Sequence, residues 1–216
     1  TAAGDDSIAL NQAAGADALS SKVAVDLGAG DDGLALSNLT AATDIQAGAS
    51  FEGGDGTDAL NIVNGAVLTS TTGAQFSGFE VVSLADATGT FDIGALATNN
   101  TIASIAATED LGADVTVNNA PEAATLDLAA DVTHNITFNQ KDAGAGSPDD
   151  TVTVNVSGAA DTDVTGTLDI NDIETVTITS TSTKSAIDHS LANLTADEAT
   201  KVVVNATTAE LEITAL

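Results

Sequence analysis

Aspartates that recur within glycine-rich stretches are the residues of this chain best suited to chemistry. The stretch FEGGDGTDAL (51–60) places three glycines and two aspartates within six residues and then returns to apolar alternation. Such a run cannot form a helix and makes a poor strand, because glycine offers no side chain to pack and loses much conformational freedom on folding. The stretch therefore predicts either an ordinary acidic turn or a loop shaped to hold something positively charged.

The same arrangement occurs three times at a constant interval. Three stretches align without gaps: TAAGDDSIAL (1–10), LGAGDDGLAL (27–36) and GGDGTDALNI (53–62). Each has an aspartate with a glycine two residues before it and an aliphatic residue two residues after it. These aspartates are Asp6, Asp32 and Asp58. Their spacing of 26 residues fits one coil of a β-solenoid, in which equivalent residues stack roughly 4.8 Å apart along the axis.

A second repeated element indicates that the chain has two similar halves. FSGFEVVSL (76–84) aligns with INDIETVTI (170–178), and the alignment matches Glu80 with Glu174. These glutamates have three alternative roles. They could support a nearby ligand, accept hydrogen bonds from backbone amides at a bend, or simply face outward from a strand.

The two halves are predicted as residues 1–110 and 111–216, either as separate units or as one continuous solenoid. The loop KDAGAGSPDDTVTV (141–154) sits in the second half much as the glycine–aspartate loops sit in the first. Its register is imperfect, because Pro148 stands where the repeat has glycine.

The rest of the chain has the pattern of short alternating strands. Asparagine follows an apolar–x–apolar triplet in VTVNN (115–119), ITFNQ (136–140), VTVNV (152–156) and VVVNA (202–206). Asparagine tolerates left-handed turns and can stack in hydrogen-bonded ladders. One helical turn is expected near LTADEATK (194–201), where Thr195 would cap and Glu198 follows three residues later.

The charge of the chain limits its partners. Its 216 residues include 32 aspartates and glutamates but only four lysines and arginines, a formal net charge of −28 at pH 7. This balance argues against nucleic acid and against anionic membrane surfaces, because both need basic residues. So many carboxylates repel one another in a compact fold unless cations neutralise them. Salt would do so loosely, whereas Ca²⁺, which takes oxygen ligands, would do so at specific sites.

The apolar residues predict thin β-layers in place of an aromatic core. The chain has five phenylalanines and no tryptophan, tyrosine, methionine or cysteine. Small aliphatic layers are typical of stacked β-coils, and the lack of cysteine removes disulfides and thiolate chemistry. No apolar run reaches the roughly 18 residues that span a membrane. The chain begins at Thr1 without a basic leader, which we interpret as a processed protein or a fragment.

Catalytic constellations find little support. His134 and His189 are the only histidines, and DHS (188–190) contains triad residue types that neighbours in sequence cannot bring together. The chain lacks a G-x-S-x-G elbow. Acid pairs suited to glycoside hydrolysis are available, but aromatic platforms for a sugar are almost absent. We therefore predict that the protein is not an enzyme.

The glycine–aspartate stretches resemble a known calcium-binding repeat. GGDGTDALN (53–61) fits the glycine–glycine–x–glycine–x–aspartate–x–apolar–x repeat of RTX proteins at every defined position. With GAGDDGLAL before it and FSGFEVVSLADATGTFD after it, the order of elements is similar to the calcium-binding bacterial surface-layer proteins of the Caulobacter type. Large RTX adhesins carry similar stretches. The resemblance is good over about residues 1–95, weaker from 141 to 180, and compositional elsewhere.

The resemblance implies which residues would bind Ca²⁺. In the RTX repeat the glycines allow tight turns and aim carbonyl oxygens inward, and the aspartate supplies carboxylate oxygen. By that correspondence the carboxylate ligands are Asp6, Asp32 and Asp58. The residues that would supply carbonyls or the required turn are Gly28, Gly30, Gly53, Gly54 and Gly56. Further candidate ligands are Asp5, Asp31, Asp55, Asp149 and Asp150.

The expected fold class is all-β: a parallel β-solenoid, of the β-roll or β-helix kind, with calcium-binding glycine–aspartate loops. The resemblance implies an extracellular protein of the bacterial cell surface, exported by type I secretion. With Ca²⁺ it would self-assemble into a surface layer, as a homo-oligomeric lattice or filament. A cell-surface polysaccharide is a further expected partner; nucleic acid and membrane insertion are not expected. Two alternatives stay open: a segment of a large RTX adhesin or extracellular matrix filament, and the calcium-binding export domain of a secreted hydrolase.

Overall fold

The chain coils into a parallel β-solenoid of about eight turns. The computed structural model describes residues 3–12, 19–20, 22–144 and 149–216. All paired strands in these ranges run parallel, in three sheets. The all-β, parallel β-solenoid fold class predicted from the repeats is therefore confirmed.

One sheet contains every odd-numbered strand of the described chain, in the order in which the strands occur. Its strands are β1 (Ser7–Asn11), β3 (Gly33–Ser37), β5 (Ala59–Ile62), β7 (Val81–Ser83), β9 (Ser104–Ala107), β11 (Thr125–Leu128), β13 (Thr151–Gly158), β15 (Thr175–Ser182) and β17 (Lys201–Ala206). Strand pairing lines up one aliphatic column along the whole sheet. The column is Ile8, Leu34, Leu60, Val82, Ile105, Leu126, Val154, Ile178 and Val204.

Coil length is constant only at the N-terminal end of the solenoid. Neighbouring members of the column are 26 residues apart for Ile8–Leu34 and for Leu34–Leu60. Later intervals range from 21 residues (Ile105–Leu126) to 28 residues (Leu126–Val154). The regular repeat visible in the sequence therefore covers the first coils, and the later coils stack without it.

The even-numbered strands form two further sheets that contribute to the same core. The shorter sheet contains β2 (Ala24–Ala29), β4 (Ser50–Asp55) and β6 (Phe76–Ser77). The longer sheet contains β8 (Gly89–Asp92), β10 (Val115–Ala120), β12 (Ile136–Gln140), β14 (Asp163–Asn171), β16 (Asp188–Thr195) and β18 (Glu210–Ala215). Short helical turns lie in the N-terminal coils: α1 (Ser70–Gly73) and the 3₁₀ turns Ala42–Asp44, Gly65–Val67 and Ile93–Leu96.

The helical turn predicted near residues 194–201 is wrong. Strand β16 continues to Thr195, which pairs with Asp169 of β14, and only a short turn separates it from β17. Pairing with an existing strand outweighs the local capping pattern. None of the helices in the described ranges is long and apolar enough to cross a membrane.

Phenylalanines and aliphatic residues stack in register to fill the core. The rings of Phe51 and Phe76 lie on consecutive coils and stack with their centroids 5.0 Å apart. Phe79 meets Phe76 edge to face, at 6.4 Å between centroids. All five phenylalanines of the chain are fully buried: Phe51, Phe76, Phe79, Phe91 and Phe138. These few rings supply the large apolar surfaces of an otherwise thin core.

Asparagines form one of the predicted ladders. Asn139 Nδ2 donates to Asn118 Oδ1 (2.7 Å), and Asn171 Nδ2 donates to Asn139 Oδ1 (2.9 Å). Each amide is both donor and acceptor, so such a ladder satisfies itself. The expectation holds for VTVNN and ITFNQ but not for VTVNV, because Asn155 donates to Asp127 Oδ1 (2.6 Å) instead.

The odd-numbered sheet crosses the predicted boundary between residues 1–110 and 111–216 without a break. Strand β9 pairs with β11 in four consecutive positions, Ser104 to Ala107 with Thr125 to Leu128. One continuous sheet is compatible with the continuous form of that prediction. The division of the chain into two halves stays a prediction.

Leu60→Ala should destabilise the solenoid strongly. Leu60 is 1% exposed in the central aliphatic column, and truncation of a buried leucine costs about 2–5 kcal/mol because a cavity remains. Leu216 is 78% exposed, so the matched change Leu216→Ala should shift stability by less than about 0.5 kcal/mol. Equilibrium urea denaturation measures the free energy of unfolding of both variants. Equal losses of stability would contradict the buried position of Leu60 in the aliphatic column.

Candidate cation site

Strand register brings the predicted aspartates together. The glycine–aspartate loops connect β2 to β3 and β4 to β5, and both pairs of strands are held one coil apart. Each predicted aspartate lies two residues before a member of the aliphatic column. Asp6, Asp32 and Asp58 must therefore stack on one another along the solenoid.

The stacked carboxylates cap backbone amides of neighbouring coils. The amide of Asp6 donates to Asp32 Oδ1 (2.6 Å), and that of Asp32 donates to Asp58 Oδ1 (2.8 Å). The amide of Asp58 donates in turn to Glu80 Oε2 (3.0 Å). Of its three alternative roles, Glu80 therefore has the second, as an acceptor for a backbone amide at a bend.

The second oxygen of each buried aspartate has no hydrogen-bond partner. Asp32 is 2% exposed and Asp58 is 0% exposed, and in both residues Oδ2 accepts no hydrogen bond from the described chain. A buried ionised carboxylate is costly unless a proton, a donor or a cation compensates it. The two orphan oxygens are thus the strongest local signal of a ligand in the structure.

The pKa of Asp58 also indicates a buried carboxyl group without a compensating positive charge. Burial raises the pKa of its carboxyl group, and the negative charges of Glu80, Asp32 and Asp31 raise it further. The hydrogen bond from the amide of Asp32 opposes these effects without cancelling them. The fold therefore holds the pKa of Asp58 above its ordinary value and makes ionisation of this carboxyl group more costly than in the unfolded chain.

Glycine is required where consecutive loops touch. Gly54 and Gly56 have φ values of 120° and 144°, a region that residues with side chains rarely adopt. A Cβ at either position would lie 1.9 Å from a carbonyl oxygen of the previous coil, that of Gly28 or of Gly30 respectively. Gly30 and Gly56 lie in the turns, whereas Gly28, Gly53 and Gly54 lie within β2 and β4. The expectation that FEGGDGTDAL makes a poor strand is therefore wrong for its first residues, because parallel pairing with the neighbouring coil holds them extended. These glycines let the backbone of one coil rest on the next.

Gly53 stands where two oxygens converge. A Cβ added to it would lie 2.0 Å from the carbonyl oxygen of Gly78 and 2.8 Å from the orphan Oδ2 of Asp58. Only glycine leaves room for this carbonyl and this carboxylate to approach the same point. The arrangement places a carbonyl oxygen and a carboxyl oxygen next to Gly53 on strand β4.

Three of the predicted ligands lie in an outer position. The amide of Asp31 donates to Asp5 Oδ1 (3.0 Å), and the amide of Thr57 donates to Asp31 Oδ1 (2.9 Å). These aspartates are exposed, as is Asp55, whose carbonyl accepts from the amide of Gly30 (2.9 Å). The loops therefore carry an inner column of carboxylates, buried at Asp32 and Asp58 and half-buried at Asp6, and an exposed column beside it.

The structure does not bring Asp149 and Asp150 to these loops. Asp150 immediately precedes β13, which lies four strands from β5 in the sheet, roughly 19 Å at about 4.8 Å per strand. Asp150 is buried and Asp149 is exposed. Pro148, whose presence made this loop an imperfect repeat, lies outside the described residues.

The second repeated element has the same local geometry as the first. The amide of Asp150 donates to Glu174 Oε2 (3.0 Å), as that of Asp58 does to Glu80. Two residues before the glutamates, Gly78 and Asp172 both have left-handed backbone, with φ of 68° and 56°. The alignment therefore matches two glutamates that occupy equivalent bends.

The sheet register nevertheless differs between the two copies. The alignment matches Val82 with Val176, whereas strand pairing places Val82 in one column with Val154 and Ile178. The second copy is thus shifted by two residues along its strand. A shift of two keeps the same residues facing the core, because side chains alternate with a period of two.

The atoms at the loops that could bind a metal ion are carboxylate and carbonyl oxygens. No three side chains of His, Cys, Asp or Glu come together as a metal group anywhere in the described ranges. A cation at Asp32 and Asp58 would therefore need backbone carbonyls as well. Carboxylate and carbonyl oxygens are the ligands that Ca²⁺ prefers, so the residues present fit a hard cation and not a thiophilic one.

Glu80 continues the carboxylate column, although it belongs to a different repeated element. The repeat alignment predicts a role for Glu80 near a ligand or at a bend, but not its place in this column. A signal was available, because Glu80 precedes the aliphatic Val82 by two residues, as each aspartate precedes its own aliphatic residue. The changed interval, 22 residues from Asp58 instead of 26, concealed it.

The fold and the loops together define a parallel β-solenoid with stacked acidic glycine turns. Neither a scan against protein-family models nor a search of curated proteins finds a match to the chain.

Gly56→Ala should disrupt the N-terminal coils, whereas Gly33→Ala should not. A Cβ at Gly56 would lie 1.9 Å from a backbone oxygen, while the nearest atom to a Cβ at Gly33 is Ser7 Oγ at 3.9 Å. Forced positive φ alone costs about 1–3 kcal/mol. Amide hydrogen exchange over β2 to β5 should accelerate in the first variant only, and similar exchange in both would contradict the requirement for glycine.

Asp58→Asn should flatten the pH dependence of stability when divalent cations are absent. A carboxyl group with a raised pKa in the fold stabilises it below the unfolded-state pKa of about 3.9 and loses that contribution as pH rises. Wild-type stability should therefore fall more steeply than that of the variant above about pH 4. The measurement is chemical denaturation in chelator across this range, with the exposed change Asp149→Asn as control. Parallel curves for wild type and Asp58→Asn would contradict the shift.

Proposed function

We propose that this chain is a calcium-stabilised structural segment of a self-assembling layer on the surface of a bacterial cell. The observation that carries the proposal is the pair of buried, unpartnered carboxylate oxygens on Asp32 and Asp58. These aspartates, with carbonyl groups of the adjacent glycines, would hold the ion. The bound Ca²⁺ supplies positive charge and no reaction chemistry.

The overall charge supports a dependence on cations. The chain carries 32 acidic residues against four lysines and arginines. Among the described residues Lys141 lies close to Asp142 (4.0 Å), and the imidazole of His134 lies 3.7 Å from Asp110. Basic side chains therefore leave most carboxylates uncompensated, and cations from solution must reduce their repulsion.

The donor set favours Ca²⁺ over Mg²⁺. Ca²⁺ accepts about 6–8 oxygens in flexible geometry, whereas Mg²⁺ needs a nearly ideal octahedron and keeps several waters. Loops built from backbone carbonyls and one inner carboxylate per coil suit the first ion.

An exposed apolar residue on the last strand of the nine-stranded sheet is compatible with a role in assembly. Val204 of β17 is 47% exposed, whereas the members of its column from Leu34 to Ile178 are buried. In the proposed assembly, further parallel coils stacked on this strand would cover Val204 and continue the sheet.

The RTX resemblance of residues 1–95 favours a surface layer as the final assembly, anchored through a cell-surface polysaccharide. The continuous nine-stranded sheet favours a second candidate, a filamentous segment of a large adhesin. Electron microscopy separates the two, because a layer gives two-dimensional lattices and an adhesin gives single long filaments.

Removal of Ca²⁺ should unfold the N-terminal coils and abolish assembly. The double variant Asp32→Asn/Asp58→Asn should show the same loss in the presence of Ca²⁺, because its loops lack the charges that would hold the ion. Circular dichroism measures the β-structure and electron microscopy the assembly. Asp197→Asn/Glu198→Gln removes the same charge from an exposed turn and should behave as wild type.

Two results would contradict the proposal. One is an unchanged circular-dichroism signal of β-structure, together with intact assemblies in electron micrographs, in excess EGTA. The other is equal loss of Ca²⁺ dependence in the loop variant and the turn variant, which would indicate diffuse charge screening in place of specific sites.

A further inference from the structure

We propose that the outward face of the nine-stranded sheet docks against the same face of a second copy of this chain. This low-charge face consists of the residues that alternate with the inward-facing ones along the odd-numbered strands, as Thr153 and Asn155 do around Val154. The contact would join two solenoids side by side. It rests on the proposed function only for the larger assembly in which it would take part.

The strands of this sheet carry almost no charge. All nine together contain one aspartate, Asp127, and one lysine, Lys201. The six strands of the longer even-numbered sheet contain six carboxylates and no lysine or arginine. In a chain with 32 acidic residues, the largest sheet is therefore nearly free of negative charge, which is concentrated on the loops and on the other sheets.

The charge of Asp127 is compensated within the face. Its Oδ1 accepts a hydrogen bond from Asn155 Nδ2 (2.6 Å), and its Oδ2 accepts from Thr125 Oγ1 (3.0 Å) and from the hydroxyl of Ser104. A carboxylate held by three donors loses less when water leaves it than an unpartnered one does. Lys201 lies on the last strand of the sheet. The middle of the face can therefore be covered without leaving an unpartnered charge.

The face is large enough for a specific contact. Nine strands spaced about 4.8 Å apart extend roughly 38 Å along the solenoid. Their lengths run from three residues in β7 to eight in β13 and β15, and a typical strand of about five residues spans roughly 17 Å. Two such faces in contact would cover about 1,300 Å², within the roughly 1,200–2,000 Å² of specific protein–protein interfaces.

The side chains of the face suit packing of one sheet on another. The outward positions hold mainly serine, threonine, alanine and asparagine. Strand pairing lines up threonines on neighbouring coils, as in Thr153 with Thr177. Small and β-branched side chains fit a pleated surface, and sheets stacked face to face lie about 10 Å apart with their side chains interdigitated.

A second copy is the partner that this distribution of charge favours. Through their other surfaces, two chains with a net charge of −28 would present carboxylates to each other and repel. At the low-charge face two copies can approach with little repulsion, and a face that packs on itself forms a closed two-fold contact. The face offers no aromatic side chain on which a sugar could stack, because all five phenylalanines are buried. This disfavours a polysaccharide at the same place.

A charge added to the face should weaken self-association. Thr177→Glu places a carboxylate in β15, and the matched control Thr116→Glu places one in β10 of the longer even-numbered sheet; both threonines are half-buried and pair with uncharged residues. A two-fold contact buries the added charge twice. In sedimentation equilibrium with Ca²⁺, the dissociation constant of Thr177→Glu should therefore rise at least about tenfold, while Thr116→Glu matches the wild type. Equal dissociation constants for the two variants would overturn the proposal.

The loop variant separates this contact from the proposed calcium sites. Thr177→Glu should keep the Ca²⁺ dependence of the circular-dichroism signal while it loses association. Association that is lost in Asp32→Asn/Asp58→Asn but kept in Thr177→Glu would overturn the docking face and leave the calcium proposal standing. Association that is lost in Thr177→Glu but unaffected by EGTA and by the loop variant would support the face and contradict the calcium proposal.

A measurement on the unaltered chain covers the case in which Thr177→Glu fails to fold. A soluble nitroxide broadens the NMR signals of exposed methyl groups. The methyl groups of Thr153 and Thr177 should be broadened less in concentrated, associated protein than in dilute protein, whereas those of Thr116 and Thr137 should be broadened equally in both. Equal broadening of both groups at every concentration would overturn the proposal.

A polysaccharide at this face gives a different result. A wild-type chain that stays monomeric, yet binds microcrystalline cellulose in a way that Thr177→Glu abolishes, would overturn docking of a second copy and assign the face to a neutral polysaccharide.

Discussion

The structure depends on a consequence of parallel, in-register coiling: equivalent residues lie directly over one another. In the N-terminal coils this places carboxylate over carboxylate, because Asp6, Asp32 and Asp58 occupy the same position. Oδ1 of Asp32 and Oδ1 of Asp58 each accept a hydrogen bond from a backbone amide of the adjacent coil. The second oxygens of Asp32 and Asp58 are buried without a partner. The glycine turns, the glutamate that ends the column and the proposed cation are all related to this unbalanced charge.

Some strands of the later coils stack neutral groups instead. Glu80 ends the carboxylate column. The amide of Ala103, in the next coil, donates to the backbone carbonyl of Glu80 (2.8 Å) and not to its carboxylate. Asn118 and Asn139 then form part of a ladder whose members each donate and accept. An amide ladder needs no ion, whereas a carboxylate ladder accepts only. The N-terminal coils are therefore the part of the solenoid whose stability we expect to respond most to cations.

The proposed cation site meets an electrostatic requirement with the help of glycine. Gly53 leaves room for the carbonyl of Gly78 close to Asp58. The orphan carboxylate oxygens of Asp32 and Asp58 lie out of contact with water, where electrostatic interactions are strong. Folding that waits for an external cation suits a chain that would assemble only after it leaves the cell.

The sequence by itself determined the parallel solenoid and the aspartate column, because residues repeated at a constant coil length must stack when strands pair in register. It also matched Glu80 with Glu174, since that bend is a local structure. Only the tertiary structure decided the varied coil lengths, the two-residue shift of the second copy and the strand that replaced a predicted helical turn. These depend on how inward side chains of unequal coils pack together. The contact between Gln140 and Thr151 likewise spans a loop, and no pattern within either strand records it.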